Sequence, residues 1–180
     1  MAVKKSSIKK TFFEVNVPMT STKVFLYGSS ADMLVGKVVK IDLTRTLRGK
    51  SLELRFRVKK EGSELTGTPI SLCLVQSYIR RMMRNRVDYC EDSFKAECKD
   101  GSVTIKPFMI TRLKVSRSVL NALRKGSREF IESYLKGRNI SEVFSDITTN
   151  KIQRELSFKL KKIYPLALCE IKSFEVINSN

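Results

Sequence analysis

The chain has 180 residues, which at about 100–200 residues per domain bounds it at one domain or little more. Lys and Arg number 35 against 18 Asp and Glu, a net charge of +17, while 42% of residues are apolar, enough for a core and against wholesale disorder. Histidine is absent, which excludes Ser-His-Asp and Cys-His nucleophile systems, imidazole acid–base catalysis and His-ligated metals; no apolar run nears the roughly 18–20 residues of a membrane helix, and the opening residues do not read as a secretory leader.

Residues Met1 to Lys10 hold four lysines, Lys4, Lys5, Lys9 and Lys10, and no acid; they read as a basic tail that orders when phosphates neutralise it. Thr11 to Val17 and Lys23 to Tyr27 have strand composition, with Pro18 and Gly28 as punctuation. Val35 to Leu43 and Ser51 to Val58 alternate apolar and polar residues, the mark of half-buried antiparallel strands, and the basic stretch around Gly49 joins them as a loop. Gly62 and Gly67 mark a turn-rich stretch. Apolar residues at steps of three and four from Leu72 to Met83 then predict one amphipathic helix over 71–84, capped by Ser71.

Residues 85–98 return to extended structure, and Asp100-Gly101 is a strong hairpin signal. The returning strand spans Ser102 to Ile110, with Pro107 ending it early or confining it to an edge. Ser116 or Ser118 caps a helix running to about Lys136, and Ser141 caps a second helix whose body is Ile147 to Ile163. Pro165 ends it, and Leu168 to Ile177 adds a final strand to the sheet edge. The predicted fold is therefore α+β: an antiparallel, β-barrel-like core with helices packed on one side and a basic N-terminal tail. Its parts are the tail over 1–10, a mainly β core with one helix over 11–110, and a helical pair plus final strand over 111–180, packed on the same domain.

A surplus this large repels itself, and a polyanion relieves it. The cations are clustered. Arg80, Arg81, Arg84 and Arg86 crowd the end of the first predicted helix. Lys106, Arg112, Lys114, Arg117, Arg124, Lys125 and Arg128 fall in a stretch from Gly101 to Arg128 that holds no acid. Like charges three and four apart on a helix cost a few tenths of a kcal/mol per pair, so an unrelieved run makes sense where phosphates complete the neutralisation. Arginine suits that task, because its planar fork grips phosphate oxygens in pairs. The candidate RNA-binding residues are these two clusters, Lys106 excepted, together with the four tail lysines.

Direct base reading is the weaker expectation. Tryptophan is absent, and no ribonucleoprotein aromatic motif, GXXG loop or zinc finger appears. Cys73, Cys90, Cys98 and Cys169 form no Cys-x-x-Cys pair and read as reduced, mostly buried residues. Asp88, Glu91 and Asp92, with Glu97 and Asp100 near, could gather Mg²⁺ in an RNA-processing enzyme; the simpler reading is that they offset arginines and set turns. No phosphate-cradling glycine loop is present, so no enzyme activity and no cofactor is expected. A DNA-coating chromatin-type protein remains an alternative on composition, because phosphate is common to both polymers.

Several short motifs occur in order. Phe12-Phe13-Glu14-Val15 opens the series. Leu34-Val35-Gly36-Lys37-Val38-Val39 with Ile41-Asp42-Leu43 follows, then Arg80-Arg81 with Arg86-Val87-Asp88. Lys99-Asp100-Gly101, Thr111-Arg112, and finally Lys161-Lys162-Ile163-Tyr164-Pro165-Leu166 with Glu170-Ile171-Lys172 complete it. Over roughly residues 11–177 this series resembles the archaeal and eukaryotic small-subunit ribosomal protein family eS1, with Phe12 where the family usually has Trp. The resemblance implies a barrel-like core with a helical side and a place on the platform of the small subunit, near the messenger exit and the 3′ end of the small-subunit RNA. The implied partners are that ribosomal RNA and neighbouring ribosomal proteins, with messenger RNA and initiation factors in reach. It implies cytoplasmic residence and no membrane.

Overall fold

Alternation of period two builds most of the chain. The computed structural model describes residues 10–18, 20, 23–47, 49–62 and 64–177, and among them are nine strands and four helices in a mixed α+β arrangement. Two compact units form, one from residues up to Lys40 with Arg55–Ile70, the other from Ile41–Leu54 with Ser71 onward.

In the first unit, β1 (Thr11–Asn16) and β2 (Val24–Gly28) make an antiparallel hairpin in register from Thr11 opposite Gly28 to Val15 opposite Val24. Val15 and Val17 are fully buried, whereas Phe12, Glu14 and Asn16 on the other phase are exposed. The far edge of β1 pairs in parallel with β5 (Glu64–Leu74) at Val15 and Leu65. After β3 (Val38–Asp42) comes β4 (Leu52–Glu61), whose Phe56 and Val58 are buried here, and the Gly36 N–H, at a φ of +83° that favours glycine, donates to the Val58 carbonyl at 2.8 Å. Gly67 is required by packing: a Cβ there would lie 2.5 Å from Cδ2 of the fully buried Phe56.

In the second unit, β8 (Gly101–Thr111) and β9 (Leu166–Ile177) pair antiparallel along nearly their whole length. The other edge of β8 carries β7 (Phe94–Cys98), across the Asp100-Gly101 turn, and β6 (Tyr89–Glu91). The other edge of β9 pairs with Ser71–Cys73 of β5. Among the described residues no pairing joins β6 back to β5, so this sheet is open rather than closed. The helices α2 (Arg117–Leu135), α3 (Ile140–Thr148) and α4 (Lys151–Leu160) each bury one apolar stripe: Leu123, Ile131 and Leu135; Val143, Phe144 and Ile147; Ile152, Leu156 and Leu160. Each such side chain contributes about 1.5–3 kcal/mol. Phe144 meets Phe174 of β9 edge-on at 4.9 Å, and Gly126 lets α2 lie against Leu160 and Ile163. Lys50 is buried in this unit, ion-paired to Glu170 and donating to Asn150 Oδ1 at 2.6 Å.

Several sequence expectations are corrected. The turn-rich stretch and the first part of the 71–84 helix are one strand, β5; Ser71 pairs with Glu175 instead of capping, and α1 (Gln76–Met82) is a short helix entered from extended Val75. Leu72 and Leu74 fit either period, and β-sheet pairing with β9 decided between them. Pro107 sits inside β8, which is paired on both edges; a register shift between Lys106 and Pro107 accommodates the missing N–H. Ser141 is not a cap: Asn139 holds that position, its N–H donating to Glu142 Oε2 at 3.4 Å. The second predicted helix is broken at Asn150, left-handed at φ +61°, into α3 and α4. The final strand lies between β5 and β8, not at an edge, and the β1–β5 pairing is parallel in a sheet expected to be antiparallel.

Candidate nucleic-acid interface

The two basic clusters are brought together by one short polar knot. After α1 the chain turns at Asn85-Arg86, with Arg86 in the left-handed region at φ +71°, and reaches Asp88. The Asp88 N–H donates to Thr111 Oγ1 at 3.1 Å, and the Asp88 carbonyl accepts the Thr111 N–H at 2.9 Å. The Thr111 hydroxyl proton lies within reach of two carbonyls, Asp88 at 2.9 Å and Leu113 at 2.7 Å. Asp88 Oδ2 then accepts the Val115 N–H at 2.9 Å. Thr111 is fully buried, so these groups must be satisfied internally. The result is a clamp on the loop carrying Arg112 and Lys114, holding it to the turn carrying Arg84 and Arg86.

Arg84 and Arg112 consequently line the same cleft of about 380 Å³, floored by Met82, Val87, Ile110 and Leu168; no carboxylate is among its lining residues. Arg80, Arg81, Arg84, Arg86, Arg112, Lys114 and Arg117 are all exposed. Arg81 lies over the Tyr78 ring at 5.8 Å. Arg117 opens α2, whose first turn has no acid. A cation at that positive helix end is unfavourable unless an anion joins it.

The remaining predicted residues divide. Steps of seven and four put Arg117, Arg124 and Arg128 on one stripe of α2, with exposed Lys125 on the next. Arg124 is half-buried, its Nε donating to the Glu91 carbonyl at 3.4 Å and its Nη1 to Asn121 Oδ1 at 3.0 Å. Arg128 pairs with Glu132 at 2.9 Å and lies 5.3 Å from the centre of the Phe94 ring. These two tie α2 to the successive strands β6 and β7, so the acid-free stretch is relieved partly by acceptors outside it. Lys10 is exposed and 5.7 Å from the centre of the Tyr27 ring; Lys4, Lys5 and Lys9 lie outside the described residues.

The carboxylates weighed as a metal site are engaged elsewhere. Asp88 serves the clamp, Glu91 pairs with Lys172 at 2.6 Å, and Asp92 Oδ1 accepts the Ser93 N–H at 2.8 Å. Among the described residues no three acidic, Cys or His side chains gather as a metal would need. The four cysteines are unpaired; Cys90 and Cys169 are buried, and burial pushes both thiols up, Cys169 to about 12. Among the described residues no helix is long and apolar enough to cross a membrane.

Sequence reasoning missed one surface. Phe12, Phe25 and Tyr27 are exposed together on the β1–β2 hairpin. The signal was present as aromatic residues on one phase of two alternating strands, but strand pairing was needed to put the phases on a common face.

Residues 2–180 match the model of the Ribosomal S3Ae family. The chain belongs to that family. As a Ribosomal S3Ae member it is a structural protein and not an enzyme. It is similar to the small ribosomal subunit protein eS1 of Methanothermobacter thermautotrophicus, 28% identical over 138 residues, covering 76% of this chain and 71% of the relative. The protein of the same name from Desulfurococcus amylolyticus is 25% identical over 170 residues, 90% of this chain and 80% of its own. That of Saccharolobus islandicus is 25% identical over 190 residues, 98% and 91%. In this S3Ae chain two separated motifs, Arg86-Val87-Asp88 and Thr111-Arg112, meet at the Asp88–Thr111 clamp.

Proposed function

We propose that this protein is a structural constituent of the small ribosomal subunit that binds and orders its ribosomal RNA in the cytoplasm. Its place is the platform near the messenger exit, beside neighbouring ribosomal proteins and within reach of messenger RNA and initiation factors. The observation that carries the reading is the clamp, which fixes Arg84 and Arg112 on one acid-free cleft with Arg86 and Lys114 beside it. The relatives' names support the subunit. The recognition is electrostatic: each neutralised phosphate releases counterions, so log affinity falls with log salt at roughly 0.7–0.9 per contact.

Reversing Arg112, Lys114 and Arg117 together to Glu tests it. The triple variant should fail to assemble into small subunits and lose RNA affinity; cosedimentation at the parent level would refute the placement of the interface. Competition between structured ribosomal RNA and duplex DNA separates this reading from a DNA-coating role, and RNA should win.

A further inference from the structure

The β1–β2 hairpin presents an unusual surface. Phe12 stands directly opposite Tyr27, and Glu14 opposite Phe25, so these four side chains share a face. Phe12 is 72% exposed, Phe25 61% and Tyr27 57%, and the Phe12 and Tyr27 rings lie 5.0 Å apart. Among the described residues of this hairpin the exposed large hydrophobics are all aromatic. Leaving three rings in water forgoes burial that a core would reward, and such patches mark interaction sites.

We propose that this face is a stacking platform for unpaired RNA bases, with Phe12, Phe25 and Tyr27 taking the bases and Lys10 a neighbouring phosphate. The inference rests on the reading of the partner as RNA. Three observations favour that occupant over an apolar protein. Lys10 lies over the Tyr27 ring, at the end of a stretch that also contains Lys4, Lys5 and Lys9. The one acid on the face, Glu14, is already paired with Lys23 at 2.7 Å. Phe25 and Tyr27 are two residues apart on a strand, about 6.7 Å, twice the roughly 3.4 Å step of stacked bases, so rings and bases can alternate. Every base has a π-face, so such a platform takes single strands with little regard to sequence. A groove beside Phe12 also carries Asn16, whose amide can reach a base edge.

The test uses the full chain and two labelled probes, a single-stranded oligoadenylate and an RNA duplex of equal length, read by fluorescence anisotropy. Phe12→Leu/Phe25→Leu/Tyr27→Leu keeps the apolar character and removes the rings; Tyr27→Phe keeps a ring. The leucine variant should lose about tenfold or more in affinity for the single strand, with duplex affinity unchanged. Tyr27→Phe should bind as the parent does. Parent-level single-strand binding by the leucine variant overturns the platform, as does equal loss on both probes. A parent that binds duplex but not single strand also overturns it while leaving the proposed function standing; a parent that binds neither overturns both.

Discussion

Replacing Asp88 with Ala gives opposite signs to two accounts of RNA binding. Counting charge alone, the variant rises from +17 to +18 and should bind RNA more tightly. The structure argues the reverse. Asp88 Oδ2 holds the Val115 N–H at 2.9 Å, closing the loop that carries Arg112 and Lys114. Removing the carboxylate deletes one charge-assisted hydrogen bond and costs about 1.5–3 kcal/mol, toward the low end because Asp88 is only half-buried. The Asp88 main-chain bonds to Thr111 survive, so the protein stays folded and the loop alone loosens. Two fixed contacts are then lost, and the salt slope should shrink by roughly 0.7–0.9 for each, with weaker binding at every salt concentration. Filter binding of a small-subunit RNA fragment across a potassium chloride series reads both quantities. Asp88→Asn, which keeps an oxygen acceptor, should recover most of the parent behaviour. Tighter binding by Asp88→Ala with an unchanged or steeper slope would refute the clamp.

Two further predictions concern the second unit. Lys50→Ala leaves Glu170 buried without its cation and should cost about 3–5 kcal/mol in urea unfolding, whereas Lys50→Met with Glu170→Leu should come close to the parent; equal losses for both would contradict the ion-pair argument. Alkaline pH should destabilise the fold. Burial first, then the Glu170 carboxylate, pushes Cys169 to about 12 against a slight opposing pull from Lys50. The neutral thiol is the form the core holds, so its contribution is complete below the unfolded thiol's pKa near 9 and is lost as pH rises toward 12, at about 1.4 kcal/mol per pH unit. Urea midpoints between about pH 8 and 10 should fall less steeply in Cys169→Ala than in the parent; parallel slopes would contradict it.

The sequence made legible whatever a local period decides. The β4 alternation, the Asp100-Gly101 hairpin and the α2 stripe stand where periodicity puts them. Leu72 to Leu74 did not, because a short apolar run fits a strand or a helix equally and only β9, a hundred residues away, settles it. Pro107 misled because a register shift, which no local pattern announces, lets a proline stay inside a paired strand. Asn150 broke a continuous apolar stripe through one left-handed backbone angle. At the proposed interface, charge clustering grouped the arginines along the chain but could not sort Arg124 and Arg128, whose partners Glu91 and Phe94 lie on β6 and β7. Asp88 read as a turn-setting acid; its bond to Val115 crosses 27 residues.

The proposed partnership joins this cationic chain to the folded RNA of the small subunit. Sucrose-gradient sedimentation of cell extract, at low and at high salt, measures it directly. At low salt the native protein should travel with the small subunits, and high salt should move it toward the top of the gradient as phosphate contacts exchange for ions. Protein found free at low salt, with the subunits intact beside it, would contradict the account.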